Sequence, residues 1–330
     1  MRKFVFTCGD INGIGPEIVV KVINRVYSPE NKIVFICPAN VLDIILKDLP
    51  AKFQYRVSKK PDFNEDPGIV DIYDIGKSKY QPGKPTRDSG LTSYKAIRES
   101  FSLAVNSRVN AIITAPISKH ALDLAGISYP GHTEMYAEWS GKKDFVMMFI
   151  SSKMNCSLLT IHEPLKDVPK LLNKKLLRSK LSVVIESMKR DFGFINPKIA
   201  LLGLNPHAGE KGRIGKEEIS IFEPVILRLP YTDYIKGPFV PDAFFANKLY
   251  KDYDMVIGSY HDQVLIPFKM MNFSSGVNYT AGLPIIRTSP DHGTAYDIVG
   301  QNIADESSLF ESFRVAGRIL RNRMKWNHRK

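Results

Sequence analysis

Short apolar runs alternate with amphipathic stretches along the whole chain, and this alternation limits the possible folds more than any other feature. Strand-like runs such as Lys3–Cys8, Lys32–Cys37 and Ala111–Thr114 are separated by helix-like segments such as Pro16–Val26 and Ser89–Ala104. Because strands that are each followed by a helix form parallel sheets, the pattern predicts an α/β fold. The length of 330 residues exceeds one simple core, so we expect two α/β/α domains, each with a mostly parallel sheet.

Composition places the chain among soluble globular proteins. Hydrophobic residues make up 44% of the chain and charged residues 24%, which is ordinary for that class. No apolar run approaches the ~20 residues that a membrane span needs. The cysteines Cys8, Cys37 and Cys156 are odd in number, lie in apolar segments and form no CxxC pair. This usage favours a reducing compartment, and we expect a cytoplasmic protein that is not attached to a membrane.

The net charge of +12 either attracts anionic substrates and nucleotides or reflects a lysine-rich surface. Part of the charge is local, because seven basic residues follow the last acidic residue, Glu311. Such a tail is typical of a nucleic-acid contact or of a solvated helix end. We favour the solvated helix and expect no nucleic-acid partner.

Three histidines, His162, His207 and His261, each come soon after an apolar strand-like run. Open α/β sheets bind their ligands at strand ends. Three neutral imidazoles that meet at one point would bind a divalent metal and leave a coordination position for substrate. Each histidine could instead be a satisfied, partly buried side chain. Asp262 would orient His261, and Asp242 is either a helix N-cap or a base.

Polar residues near two predicted helix starts indicate anion binding. His132 and Thr133 in the GHTE segment would donate hydrogen bonds to a phosphate or carboxylate. Thr133 could instead cap the helix. Lys119, which follows a strand-like run and a proline, faces either a substrate anion or solvent.

A second set of donors lies nearer the C-terminus. Lys269, Asn278 and Arg287 supply two charges and a neutral donor for one oxyanion-rich group. Arg287 follows the apolar run Leu283–Ile286, and a cation in such a place is unusual without a partner.

Two glycine-rich segments lack the fingerprints of common nucleotide-binding loops. The first turn, Cys8–Glu17, has the spacing GxxxGxG rather than GxGxxG, so a tight turn and an anion-binding loop both remain open. The segment 209–217 has one residue too many between its glycines for a P-loop, and Glu217 stands where Ser or Thr should bind magnesium. We therefore reject a P-loop NTPase.

Taken in order, the segments GDINGIGPE, APISK, GHTE, LTIHEPL, GLNPHAGE, YHDQ and GVNYTAGLPIIRTSPDHGTAYDIVG resemble the 4-hydroxythreonine-4-phosphate dehydrogenase family of vitamin B6 (pyridoxal phosphate) biosynthesis. The HGTAYDIVG segment is also similar to the adenine-side loop of isocitrate and isopropylmalate dehydrogenases. The resemblance implies their two-domain fold, an active site in the interdomain cleft, and NAD or NADP binding without a Rossmann fingerprint.

The resemblance also implies the domain arrangement. Residues 1–128 with 268–330 would form the nucleotide-side domain. Residues 129–267 would form the second domain, which carries the metal histidines and the dimer interface. We expect a homodimer with a shared active site and place each boundary within about 15 residues.

Roles are carried over residue by residue from this resemblance. The metal ligands fall on His162, His207 and His261, for one Zn, Mg or Co ion. The substrate contacts fall on His132, Thr133, Lys269, Asn278 and Arg287. Asp242 and Lys119 match residues beside the reacting centre. The cofactor contacts fall on Asn205, Asp291, His292, Gly293 and Thr294. Ile11, Asn12 and Val264 depart from the usual pattern beside the site.

The implied reaction is an NAD(P)-dependent oxidation of 4-phosphohydroxy-L-threonine to a β-keto acid. Metal-assisted decarboxylation would then give 3-amino-2-oxopropyl phosphate. One alternative is a dehydrogenase of threonate or erythronate 4-phosphate. Another is a phosphate acyltransferase of similar fold, which does not need three metal-binding histidines.

Overall fold

The predicted alternation of strands and helices is present in the computed structural model, which describes residues 1–63, 68–272 and 274–328. The first part of the chain forms β1 (Arg2–Thr7), α1 (Gly15–Val26), β2 (Asn31–Ile36), α2 (Ala39–Asp48), β3 (Tyr55–Ser58), β4 (Val70–Tyr73), α3 (Arg87–Val105), β5 (Ala111–Thr114), α4 (Lys119–Leu124) and α5 (His132–Trp139). The rest forms β6 (Val146–Ile150), β7 (Cys156–Leu158), α6 (Val168–Leu171), α7 (Lys174–Arg190), β8 (Ile199–Leu202), α8 (Glu223–Ile226), β9 (Ile235–Phe239), α9 (Pro241–Ala246), β10 (Met255–Gly258), α10 (His261–Asn272), β11 (Val277–Ala281), β12 (Arg287–Pro290) and α11 (Ser307–Asn327).

Internal contacts divide the chain into two compact units, and unit 1 comprises Met1–Gly141 and Leu283–Leu320. Its strands lie in the order β3-β4-β2-β1-β5-β12, and each neighbouring pair is parallel. Every residue of β2 is buried, as is usual for a strand covered on both faces. The carboxyl ends of β1, β5 and β12 therefore meet at one edge of the unit 1 sheet.

Unit 2 comprises Lys142–Gly282 and the residues from Arg321 onward. Its strands lie in the order β11-β6-β7-β10-β8-β9. β6 is antiparallel to both of its neighbours, whereas β7, β10, β8 and β9 are parallel to one another. Phe244, Val264 and Phe268 pack in the core against these strands. The four parallel strands thus end at the same edge of the sheet.

The breaks between the units fall after residues 141, 282 and 320. The prediction from the sequence places the first two after 128 and 267 and assigns the residues after 320 to the nucleotide-side domain. Arg323 is bonded within unit 2, because the buried Asp191 carboxylate accepts a hydrogen bond from its Nε at 2.7 Å. Asp191 also pairs with Arg190 at 2.8 Å and accepts a hydrogen bond from Tyr279. A buried carboxylate needs such partners, since an unpaired charge in the interior is costly.

Some elements differ from those predicted. The sequence around His261 predicts a turn, but α10 begins there and contains Pro267. This proline obscures the helical pattern, because proline is rare inside helices. The sequence also predicts a helix over residues 216–227, but the structure has a π-helical turn, Glu218–Phe222, followed by the short α8. Among the described residues, no helix is both long enough and apolar enough to cross a membrane. Cys8, Cys37 and Cys156 are buried free thiols.

Candidate functional site

The three candidate metal histidines follow three adjacent parallel strands of unit 2. β10 lies between β7 and β8, and His261 follows β10 while His162 and His207 follow its two neighbours. Asp242 lies after the next strand, β9, in the first turn of α9. Because the carboxyl ends of parallel strands share one edge, this order brings all four candidates to the ligand-binding edge of the sheet. We call it the histidine edge.

His162 and His261 face each other at the histidine edge. Their ring centroids are 5.7 Å apart, a separation compatible with two imidazoles that bind the same ion. Nδ1 of His261 lies 2.7 Å from a carboxylate oxygen of Asp262, so its Nε2 is the nitrogen left for a metal. A carboxylate in this position fixes the tautomer and raises the basicity of a ligating imidazole. The pair therefore provides two imidazole donors of the kind that divalent metal ions bind.

His207 is exposed and lies in a left-handed stretch of backbone, with φ 52°. Within residues 1–63, 68–272 and 274–328, no group of three or more His, Cys, Asp or Glu side chains is placed to hold a metal. The described chain thus brings two of the three histidines together, and His207 does not join them in such a group.

The loops of the histidine edge are joined by hydrogen bonds from residues that the sequence analysis does not name as site residues. Gln263 donates from Nε2 to the Gly203 carbonyl at 2.7 Å and accepts from the Ser259 amide at 2.7 Å. Thr160 donates to the Ser259 carbonyl at 2.7 Å. These bonds join the ends of β7, β8 and β10. The one signal in the sequence was that Gln263 ends the YHDQ segment.

The second polar cluster, which we call the arginine site, is buried in unit 1. Arg287 begins β12 and is only 2% exposed. Its Nε and Nη2 donate to the Thr114 hydroxyl at 3.1 and 2.7 Å, across the parallel pair of β5 and β12. Burial lowers the pKa of Arg287 to about 10, opposed by Tyr136 and Glu134. The guanidinium is still charged at neutral pH, and this charge favours an anionic ligand.

His132 lies beside that charge. Burial, and then the positive charge of Arg287, hold the pKa of His132 well below its usual value of 6.5. Its ring stacks on Tyr136 with an interplanar angle of 5°, and its buried Nε2 has no hydrogen-bond partner among the described residues. A buried polar atom without a partner is rare. It fits a site whose missing partner is a ligand.

Two further predictions in unit 1 have mixed outcomes. His132 and Thr133 do begin a helix, α5, but its N-cap is Gly131, so Thr133 is not the N-cap. Lys119 is exposed at the first residue of α4, where Ser118 is the N-cap.

The predicted cofactor segment, Asp291–Thr294, packs on the first turn of the chain. The Ile14 amide donates to the Thr294 carbonyl at 3.0 Å. A methyl group added to Gly13 would lie 2.7 Å from that oxygen, so glycine is needed for the close approach. Nε2 of His292 is buried without a partner in the described chain. The first turn therefore supports this segment, and the segment offers a polar atom to a ligand.

The remaining candidates lie in unit 2. Lys269 in α10 and Asp242 in α9 are exposed, and the N-cap of α9 is Val240, so Asp242 is not the cap. Oδ1 of Asn278, in β11, is buried without a hydrogen-bond partner among the described residues. The Asn205 side chain donates to Glu217 and Glu218 at 2.7 and 2.9 Å, which occupies its amide.

Comparisons with known proteins show the family of this chain. A family model described as "Pyridoxal phosphate biosynthetic protein PdxA" matches residues 29–316. The chain belongs to the PdxA family. It is 39% identical to "4-hydroxythreonine-4-phosphate dehydrogenase" of Zymomonas mobilis over 98% of this PdxA chain and 97% of that protein.

Solved structures place the PdxA fold in a wider group. The crystal structure of 4-hydroxythreonine-4-phosphate dehydrogenase from Klebsiella pneumoniae is similar with TM-score 0.84 and 36% identity, over 97% of this chain and 98% of that one. Isocitrate dehydrogenase from Methylococcus capsulatus is similar with TM-score 0.53 and 11% identity, over 98% of this chain and 87% of that one. The predicted isocitrate dehydrogenase-like α/β fold is confirmed.

Proposed function

We propose that this protein oxidises 4-phosphohydroxy-L-threonine with NAD or NADP, and that the β-keto acid product loses CO2 to give 3-amino-2-oxopropyl phosphate. The reaction would serve pyridoxal 5'-phosphate biosynthesis, in keeping with the family description and with the name of the Zymomonas mobilis relative. The observation that carries the proposal is the His162–His261 pair, 5.7 Å apart at the ends of parallel strands. An acyltransferase of similar fold has no use for that pair.

The arginine site binds an anionic group of the substrate in this proposal. Arg287 supplies a buried charge, and the Thr114 hydroxyl fixes the guanidinium in place. His132 is neutral, because its pKa is lowered, and its unpartnered Nε2 is available to a ligand oxygen. Thr133 donates beside it. Charge-assisted hydrogen bonds in a buried pocket hold phosphate and carboxylate groups strongly.

Lys269 and Asn278 are proposed to hold further oxygens of the substrate. Asn278 has a buried amide oxygen without a partner among the described residues, and Lys269 is an exposed cation in α10. Fixing the substrate at several points orients the carbon that bears the hydroxyl group, which lowers the entropic part of the barrier. Asp242 and Lys119 remain the candidate bases, and both are exposed at helix starts.

His162, His207 and His261 would hold a Zn, Mg or Co ion, with Asp262 orienting His261. When bound, the ion supplies Lewis-acid polarisation and NAD(P)+ accepts the hydride. We propose a homodimer with a shared active site. The described part of one chain brings only two of the three histidines together, and a second copy would supply the remaining metal ligand. Metal ligation at His207 then depends on how its loop is held.

The cofactor is proposed to bind at Asp291–Thr294. A methyl group at Gly293 would contact nothing within 4 Å, so the backbone there is open to a ligand, and His292 offers a buried ring nitrogen. Asn205 stays a predicted cofactor contact, although its amide group is bonded to two carboxylates. The cytoplasmic location also stays a prediction.

A substrate panel tests the proposal. Purified protein with Zn2+ and NAD+ or NADP+ should form NADH or NADPH with 4-phosphohydroxy-L-threonine. Reduction with threonate or erythronate 4-phosphate alone would keep the chemistry and replace the substrate. No reduction with any of the three, together with acyl transfer to inorganic phosphate, would overturn the dehydrogenase proposal in favour of the acyltransferase.

A further inference from the structure

The loop that carries His207 has an unusual backbone. His207, Ala208, Gly209, Glu210 and Lys211 all have positive φ, between 43° and 76°, so the chain makes a left-handed helical turn. L-residues with a Cβ atom visit this region rarely, because Cβ approaches the following carbonyl oxygen. Four of the five residues are not glycine, and such a conformation persists only where surrounding groups enforce it.

The side chain of Glu218 lies directly against this turn. Glu218 is 1% exposed and lies in the π-helical turn that follows the loop. Its Oε1 accepts from the backbone amides of Leu204 and Asn205, both at 2.8 Å. Its Oε2 accepts from the Asn205 side chain at 2.9 Å. One carboxylate therefore satisfies three donors just before the left-handed turn begins.

The loop is also packed tightly around that carboxylate. A methyl group added to Gly209 would lie 2.6 Å from Glu218 Oε2. One added to Gly203 would lie 3.2 Å from Oε1 and 3.0 Å from the Ala208 side chain. The Glu218 carboxylate therefore fills the interior of the loop. Removing it would leave a gap and deprive the Leu204 and Asn205 backbone amides of their acceptor.

We propose that Glu218 is a positioning residue for His207: its carboxylate holds the left-handed turn that sets the direction of the imidazole. This inference rests on the proposed role of His207 as a metal ligand. The partners behind a ligand normally change metal affinity by about 10–100-fold when they are removed. Glu218 would act through backbone conformation, which distinguishes it from Asp262, whose carboxylate contacts an imidazole directly.

The test is the dissociation constant for Zn2+, measured on the whole protein by competition with a chromogenic chelator. Glu218→Ala should weaken Zn2+ binding by about 10–100-fold. Glu218→Gln should weaken Zn2+ binding less than Glu218→Ala, because its carbonyl oxygen still accepts from both backbone amides. Its NH2 group loses only the bond from the Asn205 side chain, which keeps Glu217 as an acceptor. Glu223→Ala removes an exposed carboxylate five residues along the same segment and should change nothing.

His207→Ala separates this inference from the proposed function. Affinity lost in His207→Ala but kept in Glu218→Ala overturns the positioning role and leaves the metal ligand in place. Affinity kept in both variants removes His207 from the metal site and overturns both proposals. If Glu218→Ala does not fold, hydrogen exchange of the wild type decides. Slow exchange of the Leu204 and Asn205 amides supports their hydrogen bonds to Glu218, and rapid exchange rules these bonds out.

Discussion

The arginine site and the histidine edge, the two proposed ligand-binding regions, differ in how far their polar side chains are buried. At the arginine site, Arg287 is 2% exposed and held by Thr114, and His132 is buried against it. At the histidine edge, His162 and His207 are exposed and the His261 side chain is 40% exposed. The first region is assembled before any ligand arrives. The second consists of exposed or half-exposed side chains on loops that are hydrogen-bonded to one another.

The difference follows from the cost of burying each group. A buried guanidinium keeps its charge only where polar groups compensate it, so we expect the arginine site to be rigid. Neutral imidazoles carry no such penalty and can remain in water until a metal binds. We therefore expect changes at the arginine site to act on substrate affinity and stability, and changes at the histidine edge to act on turnover.

The sharpest way to break this comparison is to remove an imidazole. His261→Ala should lower kcat by about 10³-fold or more, because several kcal/mol of transition-state stabilisation are lost with the metal, while the melting temperature stays close to that of wild type. Asp262→Asn should lower kcat by about 10–100-fold. His120→Ala, an exposed histidine in α4, is the control. Full turnover of metal-loaded His261→Ala would refute the ligand assignment.

The next largest effect is expected at Arg287. Arg287→Met keeps most of the side-chain volume and should raise the substrate KM by about 10–100-fold, equivalent to the ~1.5–3 kcal/mol of a charged hydrogen bond, with a smaller change in kcat. Thr114→Val removes the hydroxyl that fixes the guanidinium and should raise KM less. An unchanged substrate KM in Arg287→Met would remove Arg287 from the substrate site.

The buried state of His132 predicts a pH dependence of stability. Its folded pKa lies well below the usual 6.5, so below pH 6.5 the unfolded chain binds a proton that the folded protein does not. The free energy of unfolding should therefore fall as pH drops from 6.5 towards the folded pKa, by at most about 1.4 kcal/mol per pH unit from this group. Urea unfolding of wild type and His132→Gln at pH 7 and 5.5 measures it. Equal losses in the two proteins would contradict the burial of a neutral imidazole.

The smallest effect tests the support of the cofactor segment. Gly13→Ala places a methyl group 2.7 Å from the Thr294 carbonyl oxygen and should push the segment outward. We expect the KM for NAD+ to rise about 3–10-fold, equivalent to ~1 kcal/mol, with little change in the substrate KM. Wild type is the reference. Gly126 is a poor control because its φ is positive, so an alanine there is strained even though a methyl group would meet nothing within 4 Å. A rise in the substrate KM alone would mean that the segment contacts the substrate and not the cofactor.

Periodic features of the sequence predicted the fold well, because strand–helix alternation depends on local spacing. The same logic placed the three histidines after strands, and the strand order then brought those strands together. Features set by long-range contacts could not be predicted. Nothing near Arg287 indicates that its partner is Thr114, 173 residues earlier, and nothing in GLNPHAGE shows a left-handed turn held by Glu218. Such contacts exist only once the chain has folded.

The central claim is that oxidation and decarboxylation are coupled and need a metal. The direct measurement follows NADH formed from NAD+ and CO2 released from 4-phosphohydroxy-L-threonine in one sample. Both are measured before chelation, after chelation and after Zn2+ is restored. We expect one CO2 for each NADH, loss of both on chelation and recovery of both with the metal. NADH without CO2, or turnover that chelation leaves unchanged, would contradict the account.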